Sequence, residues 1–224
     1  MKRRTVVLII AIIILVDQAL KVWIKTGYGF GHITNVLGIN WFKLYFIENE
    51  GMAWGWKFGG EWGKMTLTLF RLAAVVFGTW YLGKVIKQKY SRGFIICAAL
   101  IYAGALGNLI DSMFYGMLFS KSDWGVVASA FPAEGGYAGF LHGKVVDMLY
   151  FPIIKSNYPS WFPFIGGDDF EFFSPIFNIA DASISIGVIT LFVFQKKLFR
   201  KEGDEKPGPT VETSTEVSDR VQVG

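Results

Sequence analysis

Four runs of this chain, at about 5–25, 66–87, 93–114 and 178–199, are apolar and long enough to cross a bilayer, yet they carry acids and amides. A hydrocarbon core of ~30 Å takes roughly 20 mostly apolar residues to span. Asp17, Asn108, Asp111, Asn178 and Asp181 lie inside these runs, and Asp147 opens a shorter apolar stretch. A carboxylate in lipid costs at least ~2.5–3.5 kcal/mol on insertion scales, so its default reading is functional. With 52% hydrophobic residues and a mean hydropathy of +0.39, the chain is too apolar for an ordinary soluble domain. At 224 residues it is too short for a large transporter. The expectation is one membrane domain over 1–201, built on four transmembrane helices.

Charge sets the threading. Lys2, Arg3 and Arg4 precede the first run. Lys84, Lys87, Lys89 and Arg92 separate the second from the third, and Lys196, Lys197, Arg200 and Lys201 follow the fourth. All three clusters fall on one side of a four-helix path, which the positive-inside rule makes cytoplasmic. Both termini are then inside, and 26–65 and 115–177 face outward. At 1.5 Å per residue, Asp17 lies ~18 Å along its helix and Asn108 and Asp111 lie ~22–27 Å along theirs. Arg71, Asn178 and Asp181 stand near the outer ends of theirs. The polar residues therefore share one layer in the outer leaflet. Asp17/Lys21 are i,i+4, and Asn108/Asp111 and Asn178/Asp181 are i,i+3, so each pair occupies one helix face. Gly104 and Gly107 share the Asn108/Asp111 face, where small residues permit close helix approach.

Composition also narrows the chemistry. One cysteine, Cys97, permits no internal disulfide, and it reads as a packing residue. Two histidines, His32 and His142, sit in loops as surface residues, and no zinc motif is present. A net charge of +4 without a basic patch gives no sign of nucleic-acid binding. The start resembles a signal peptide, but no small-x-small site ends the apolar run, so a retained helix is expected. Residues 202–224, rich in Gly, Pro, Thr, Ser, Glu and Asp, are expected to be a disordered cytoplasmic tail.

In the outer segments, Trp41–Ile47 reads as a strand or hairpin and Asn49–Gly55 as a turn. Tyr158–Phe173, dense in aromatics, reads as a loop at headgroup level. If Asp147 meets Asp181, the two form a carboxylate pair that shares a proton: one member activates water while the other polarises a carbonyl. A membrane hydrolase fits this, a proton-coupled carrier is the alternative, and polar residues serving as helix glue are a third reading. A serine–lysine peptidase fits less well, because neither Ser183 nor Ser185 has an evident Lys partner.

Five motifs stand in order: Asp17-Gln18-x-x-Lys21, Asn49-x-Gly51-x-Ala53-Trp54, Gly104-x-x-Gly107-Asn108-x-x-Asp111, Gly143-x-Val145-x-Asp147 and Phe177-Asn178-x-Ala180-Asp181. Together they resemble the lipoprotein signal peptidases, the type II signal peptidases of bacteria, over about residues 5–199. The resemblance implies four transmembrane helices, a small extracytoplasmic β-sheet cradle and a long outer loop in the bacterial inner membrane. It implies an aspartic endopeptidase, sensitive to globomycin, that cuts diacylglyceryl-modified prolipoproteins just before the lipidated cysteine. Asp147 and Asp181 would be the catalytic pair. Asp17, Lys21, Asn49, Gly51, Asn108, Asp111 and Asn178 would support the site or the substrate. No metal or cofactor is implied; the partners are lipidated precursor and membrane lipid, and a monomer is expected. Two departures stand out. Ser112 replaces the arginine usual after the third motif's aspartate, with Arg71 or Lys144 as candidate replacement cations. The link 113–142 is also longer than in the family.

Overall fold

A computed structural model describes residues 1–49, 60–157, 159–164, 167–172 and 175–200. Helix α1 (Arg3–Gly27) leads to β1 (Ile33–Asn35) and β2 (Lys43–Asn49). Helices α2 (Gly60–Lys87) and α3 (Arg92–Ile110) follow. After a long excursion come β3 (Val145–Tyr150), β4 (Ile154–Asn157), β5 (Asp169–Phe172) and β6 (Ile176–Phe177). Helix α4 (Ile179–Val193) comes last, with one more helical turn at Gln195–Leu198. Gly51 and most of the Asn49–Gly55 segment lie outside the described residues, as does the tail.

Among the described residues, three helical stretches are long and apolar enough to cross a membrane: Arg3–Gly27, Trp62–Lys87 and Arg92–Leu118. The fourth expected span contains the shorter apolar helix Ile179–Val193. Outward-facing Leu8, Ile12 and Leu15 on α1, Phe70, Phe77 and Trp80 on α2, and Ile189, Phe192 and Val193 on α4 are all exposed. Such a belt is stable only against lipid. Helix α3 is the axis: 50% of its apolar window is buried, against 17% in each of the other two. Helices α1, α2 and α4 each pack on it.

Glycine sets how closely α3 and α4 approach. A Cβ on Gly104 would meet the Ala180 carbonyl oxygen at 2.2 Å, and one on Gly187 would meet the Cys97 carbonyl oxygen at 2.8 Å. Buried Cys97 thus lies in this packed seam. Ser91 fastens the other end of the bundle. Its hydroxyl oxygen caps α3 by accepting from the Phe94 N–H, and the hydroxyl donates to the Leu198 carbonyl at 2.6 Å. Such a cap contributes ~1 kcal/mol.

The span expected at about 93–114 is the helical stretch Arg92–Leu118; within it the α-helical geometry stops at Ile110 and Asp111–Tyr115 form a π-helical turn. The wider turn leaves carbonyls for the returning chain. Gly143 N–H donates to the Ser112 carbonyl, Leu141 N–H to Met113 and Ala138 N–H to Gly116. Gly143 must be glycine here, since a Cβ would lie 2.0 Å from the Asp111 carbonyl oxygen.

The sheet is antiparallel, in the order β1-β2-β3-β6. All of β3 is buried between the sheet and the helix ends. Ile24, Phe46, Tyr115, Phe119, Val146 and Met148 form the core that joins sheet to helices. A second, two-stranded sheet pairs β4 with β5. This corrects the reading of Tyr158–Phe173 as loop throughout. The alternation Asp169-Phe170-Glu171-Phe172 is a strand pattern that the surrounding Pro, Gly and aromatic residues obscure.

Replacing Gly104 with Val is expected to lower stability by about 1–3 kcal/mol through overpacking. Gly83→Ala, where nothing lies within 4 Å of the added Cβ, is expected to be neutral or slightly stabilising. Thermal unfolding of the detergent-solubilised protein measures both.

Candidate active site

Polar residues from α1, α3, β2, β3 and α4 meet at one end of the bundle, around a lysine. Lys21 has no exposed surface, and its Nζ lies 2.8 Å from Asp17 Oδ2 and 2.8 Å from Asp111 Oδ2. It also donates to Asn108 Oδ1 at 3.1 Å. The three protons of the ammonium thus have three oxygen acceptors. Gln18, adjacent to Asp17, donates to Asp111 Oδ1 at 2.8 Å and accepts from the Tyr115 hydroxyl at 3.1 Å. Asp17 Oδ1 accepts from the Ala180 N–H at 2.9 Å, which ties α1 to the first turn of α4. Gly107 makes this junction possible: a Cβ there would lie 2.9 Å from Asp17 Oδ2.

Asn178 links this base to the two aspartates. It is the N-cap of α4, with its side-chain oxygen accepting from the Asp181 N–H at 2.8 Å. Its amide donates to Asp147 Oδ1 at 2.7 Å, to the Val146 carbonyl at 3.2 Å and to Asn108 Oδ1 at 3.1 Å. Asn108 in turn donates to Asp181 Oδ1 at 2.7 Å. Asp147 and Asp181 are therefore bound to each other's support through two buried amides. In the sheet, Asn49 pairs with Val145, and Val145 and Asp147 point to the same face. That register brings the Asn49 amide to Asp147 Oδ2, to which it donates. Asp147 is buried, 1% exposed, whereas Asp181 is partly open.

Burial, and then the neighbouring Asp181 carboxylate, push Asp147 up to about 8, against the opposing pull of Lys21 and the Asn178 hydrogen bond. At neutral pH the site therefore favours holding a proton. The folded protein holds a proton that an unfolded aspartate releases near pH ~3.9. Stability thus declines on this account as pH rises from about 4 to about 8.

At Ser112, the position of the missing arginine, a guanidinium arrives from a different helix. Arg71 on α2 donates from Nη1 to Ser112 Oγ at 2.9 Å, and Ser112 Oγ donates to the Asn108 carbonyl at 2.9 Å. Arg71 is near enough to interact electrostatically with Asp181, Asp111 and Asp147. Lys144 has no hydrogen bond to Ser112; its backbone N–H donates to the Tyr137 hydroxyl.

The sequence reading did not single out a second buried cluster. Lys25 pairs with Glu48 of β2 and donates to Ser122 Oγ at 2.9 Å, and Ser122 donates to Glu48 at 2.9 Å. The rings of Phe119 and Tyr137 lie 5.5 and 5.1 Å from the ammonium. The cluster fixes the long 119–142 excursion onto α1 and β2. Lys25 continues the i,i+4 series from Asp17 and Lys21, the one signal that pointed to it. Gln18 and Tyr115 were also unassigned, although Gln18 stands inside the first motif. Among the described residues, no group of three His, Cys, Asp or Glu is placed to hold a metal ion.

Comparison with known proteins agrees with this arrangement. The family model described as Signal peptidase (SPase) II matches residues 9–196. A Porphyromonas gingivalis protein named Lipoprotein signal peptidase is 46% identical over 191 residues, covering 85% of this chain and 82% of that protein. One of the same name from Amoebophilus asiaticus is 33% identical over 207 residues, covering 91% and 82%. A solved structure described as a bacterial membrane enzyme superposes with a TM-score of 0.56 at 26% identity, covering 87% of this chain and 94% of that one. With its apolar helices and its relatives, the chain is a multi-pass membrane protein. It belongs to the signal peptidase II family.

Proposed function

We propose that the chain is an aspartic endopeptidase that removes signal peptides from diacylglyceryl-modified prolipoproteins, cutting before the lipidated cysteine. The observation that carries this is the joining of Asp147 and Asp181 through Asn178 and Asn108. Family membership favours a peptidase over the proton-coupled carrier. In this reading α4 and the turn after it complete a fourth span. The basic clusters put both termini in the cytoplasm and the aspartates near the outer leaflet. The working unit is a monomer with one membrane domain over 1–201 and a tail that takes no part in catalysis.

The acyl chains of the precursor stay in lipid while its peptide crosses the outer ends of the helices. Asp147 and Asp181 hold one proton between them. The ionised member takes a proton from water, which attacks the scissile carbonyl. The protonated member hydrogen-bonds the carbonyl oxygen as charge develops there. Collapse of the tetrahedral intermediate breaks the C–N bond, and the cysteine amine leaves with a proton from the pair. The pair titrates as a unit, so acid and base belong to the pair rather than to either residue. Asn178 and Asn108 orient the carboxylates. Asn49 holds Asp147 from the sheet side, and Asp17, Lys21 and Asp111 fix the floor. Gly51, two residues after Asn49 in the sequence, serves substrate binding. Arg71, anchored on Ser112, binds a substrate backbone carbonyl in place of the missing arginine.

In a cleavage assay with purified protein and a verified diacylglyceryl-modified prolipoprotein, Asp147→Asn and Asp181→Asn are each expected to abolish turnover while remaining folded. Turnover surviving in either variant removes that residue from the pair. Arg71→Gln is expected to raise KM by about tenfold, a charged hydrogen bond's worth of ~1.5 kcal/mol or more, with kcat less affected. An unchanged KM would remove Arg71 from substrate binding.

A further inference from the structure

Among the described residues, the opposite end of the bundle carries cations and no Asp or Glu. Residues 1–16, 62–110 and 182–201 contain no Asp or Glu. Between the start of α1 and the α2–α3 turn lies a cavity of about 630 Å³, lined by Lys2, Lys87, Lys89 and Arg92 together with Ile86. Its size is that of a small-molecule site. The start of α1 adds to its field: Lys2 at the N-cap makes no side-chain hydrogen bond, and no acid stands in the first turn. The helix N–H groups and dipole there favour an anion. Lys89 occupies a left-handed position, φ 55°, that glycine would fill at less cost.

A second, apolar hollow of about 150 Å³ shares Ile86 with the first and runs up the seam between α1 and α2, along Val6, Val7, Ile10, Leu82 and Gly83. The seam exists because α1 and α2 both pack on α3 and make little contact with each other. Nothing lies within 4 Å of where a Cβ on Gly83 would be, so the groove is open there. Thr79 and Tyr102, joined by a hydrogen bond of 2.8 Å, also line it.

An open cationic hollow that adjoins an apolar groove at Ile86 fits a ligand with an anionic head and a hydrocarbon tail. We propose that this end binds one anionic phospholipid, its phosphate among Lys2, Lys87, Lys89 and Arg92 and an acyl chain along Gly83. By the positive-inside rule the lipid comes from the inner leaflet, and each cation near such a headgroup adds to its binding. The acidic tail could match the charge, but residues 202–224 carry only isolated valines and offer nothing to fill the groove.

Thermal unfolding of the full chain in an uncharged detergent tests this, with added phosphatidylglycerol, phosphatidylcholine or inorganic phosphate. Phosphatidylglycerol is expected to raise the midpoint where phosphatidylcholine and phosphate do not. Lys87→Ala with Lys89→Gly is expected to weaken that response roughly tenfold or more, while Lys89→Gly alone leaves the unliganded fold as stable or more so. Gly83→Leu, which fills the groove with every cation in place, is expected to weaken it as well. Equal protection by phosphatidylcholine, full protection by phosphate alone, or an unaltered response in these variants overturns the proposal. So does a response that appears only after Glu202, Asp204, Glu205, Glu212, Glu216 and Asp219 are neutralised, which would give the site to the tail. A midpoint that rises with protein concentration instead would give it to a second copy of the chain.

Discussion

Lys21 is the contact on which the rest of the site depends. Helices in lipid gain nothing from burying apolar surface against one another, so packing and polar contacts must set their register. Lys21 sets it by holding Asp17 of its own helix and Asp111 of α3 at 2.8 Å each. Asp17 then reaches the Ala180 N–H, so the first turn of α4 is fixed relative to α1. Removing one partner from a buried pair costs about 3–5 kcal/mol, because it leaves an uncompensated charge. The arrangement is therefore all or nothing, and Asn108, which accepts from Lys21 and donates to Asp181, carries it to the reactive pair.

The two ends of the bundle are built on different physics. At one end buried ions and amides are mutually satisfied, and no buried side-chain nitrogen or oxygen among the described residues lacks a hydrogen-bond partner. At the other, Val6, Leu82, Val85, Phe94 and Ile95 form an apolar core beside the cations Lys2, Lys87, Lys89 and Arg92. The glycines of the α3–α4 seam connect the two ends. By letting those helices touch they keep Asp181 within reach of Asn108, as the 2.2 Å approach at Gly104 makes plain.

Helix faces were legible in the sequence because period and spacing determine them. Asp17 with Lys21, Asn108 with Asp111 and Asn178 with Asp181 stand where their spacing puts them. What depends on contacts across long loops was not legible. Nothing local tells Lys25 that Ser122, 97 residues away, will meet it, or tells Arg71 that it will reach Ser112. The π-helical turn at Asp111–Tyr115 is likewise set by the returning chain, whose N–H groups take the carbonyls it leaves. Strand β5 escaped because its four residues of alternation sit within an aromatic stretch that resembles an interfacial loop.

The central claim is that two carboxyl groups share one proton on a framework of amides. The pH dependence of kcat/KM for cleavage of a lipidated precursor tests it most directly. With Asp147 pushed up to about 8 by burial and by Asp181, the free pair loses its proton as pH rises through that value. The predicted result is a kcat/KM that falls on the alkaline side with a limb near pH 8 while the protein stays folded. A kcat/KM that holds level or rises well beyond that limb would contradict a proton-sharing pair and the mechanism built on it.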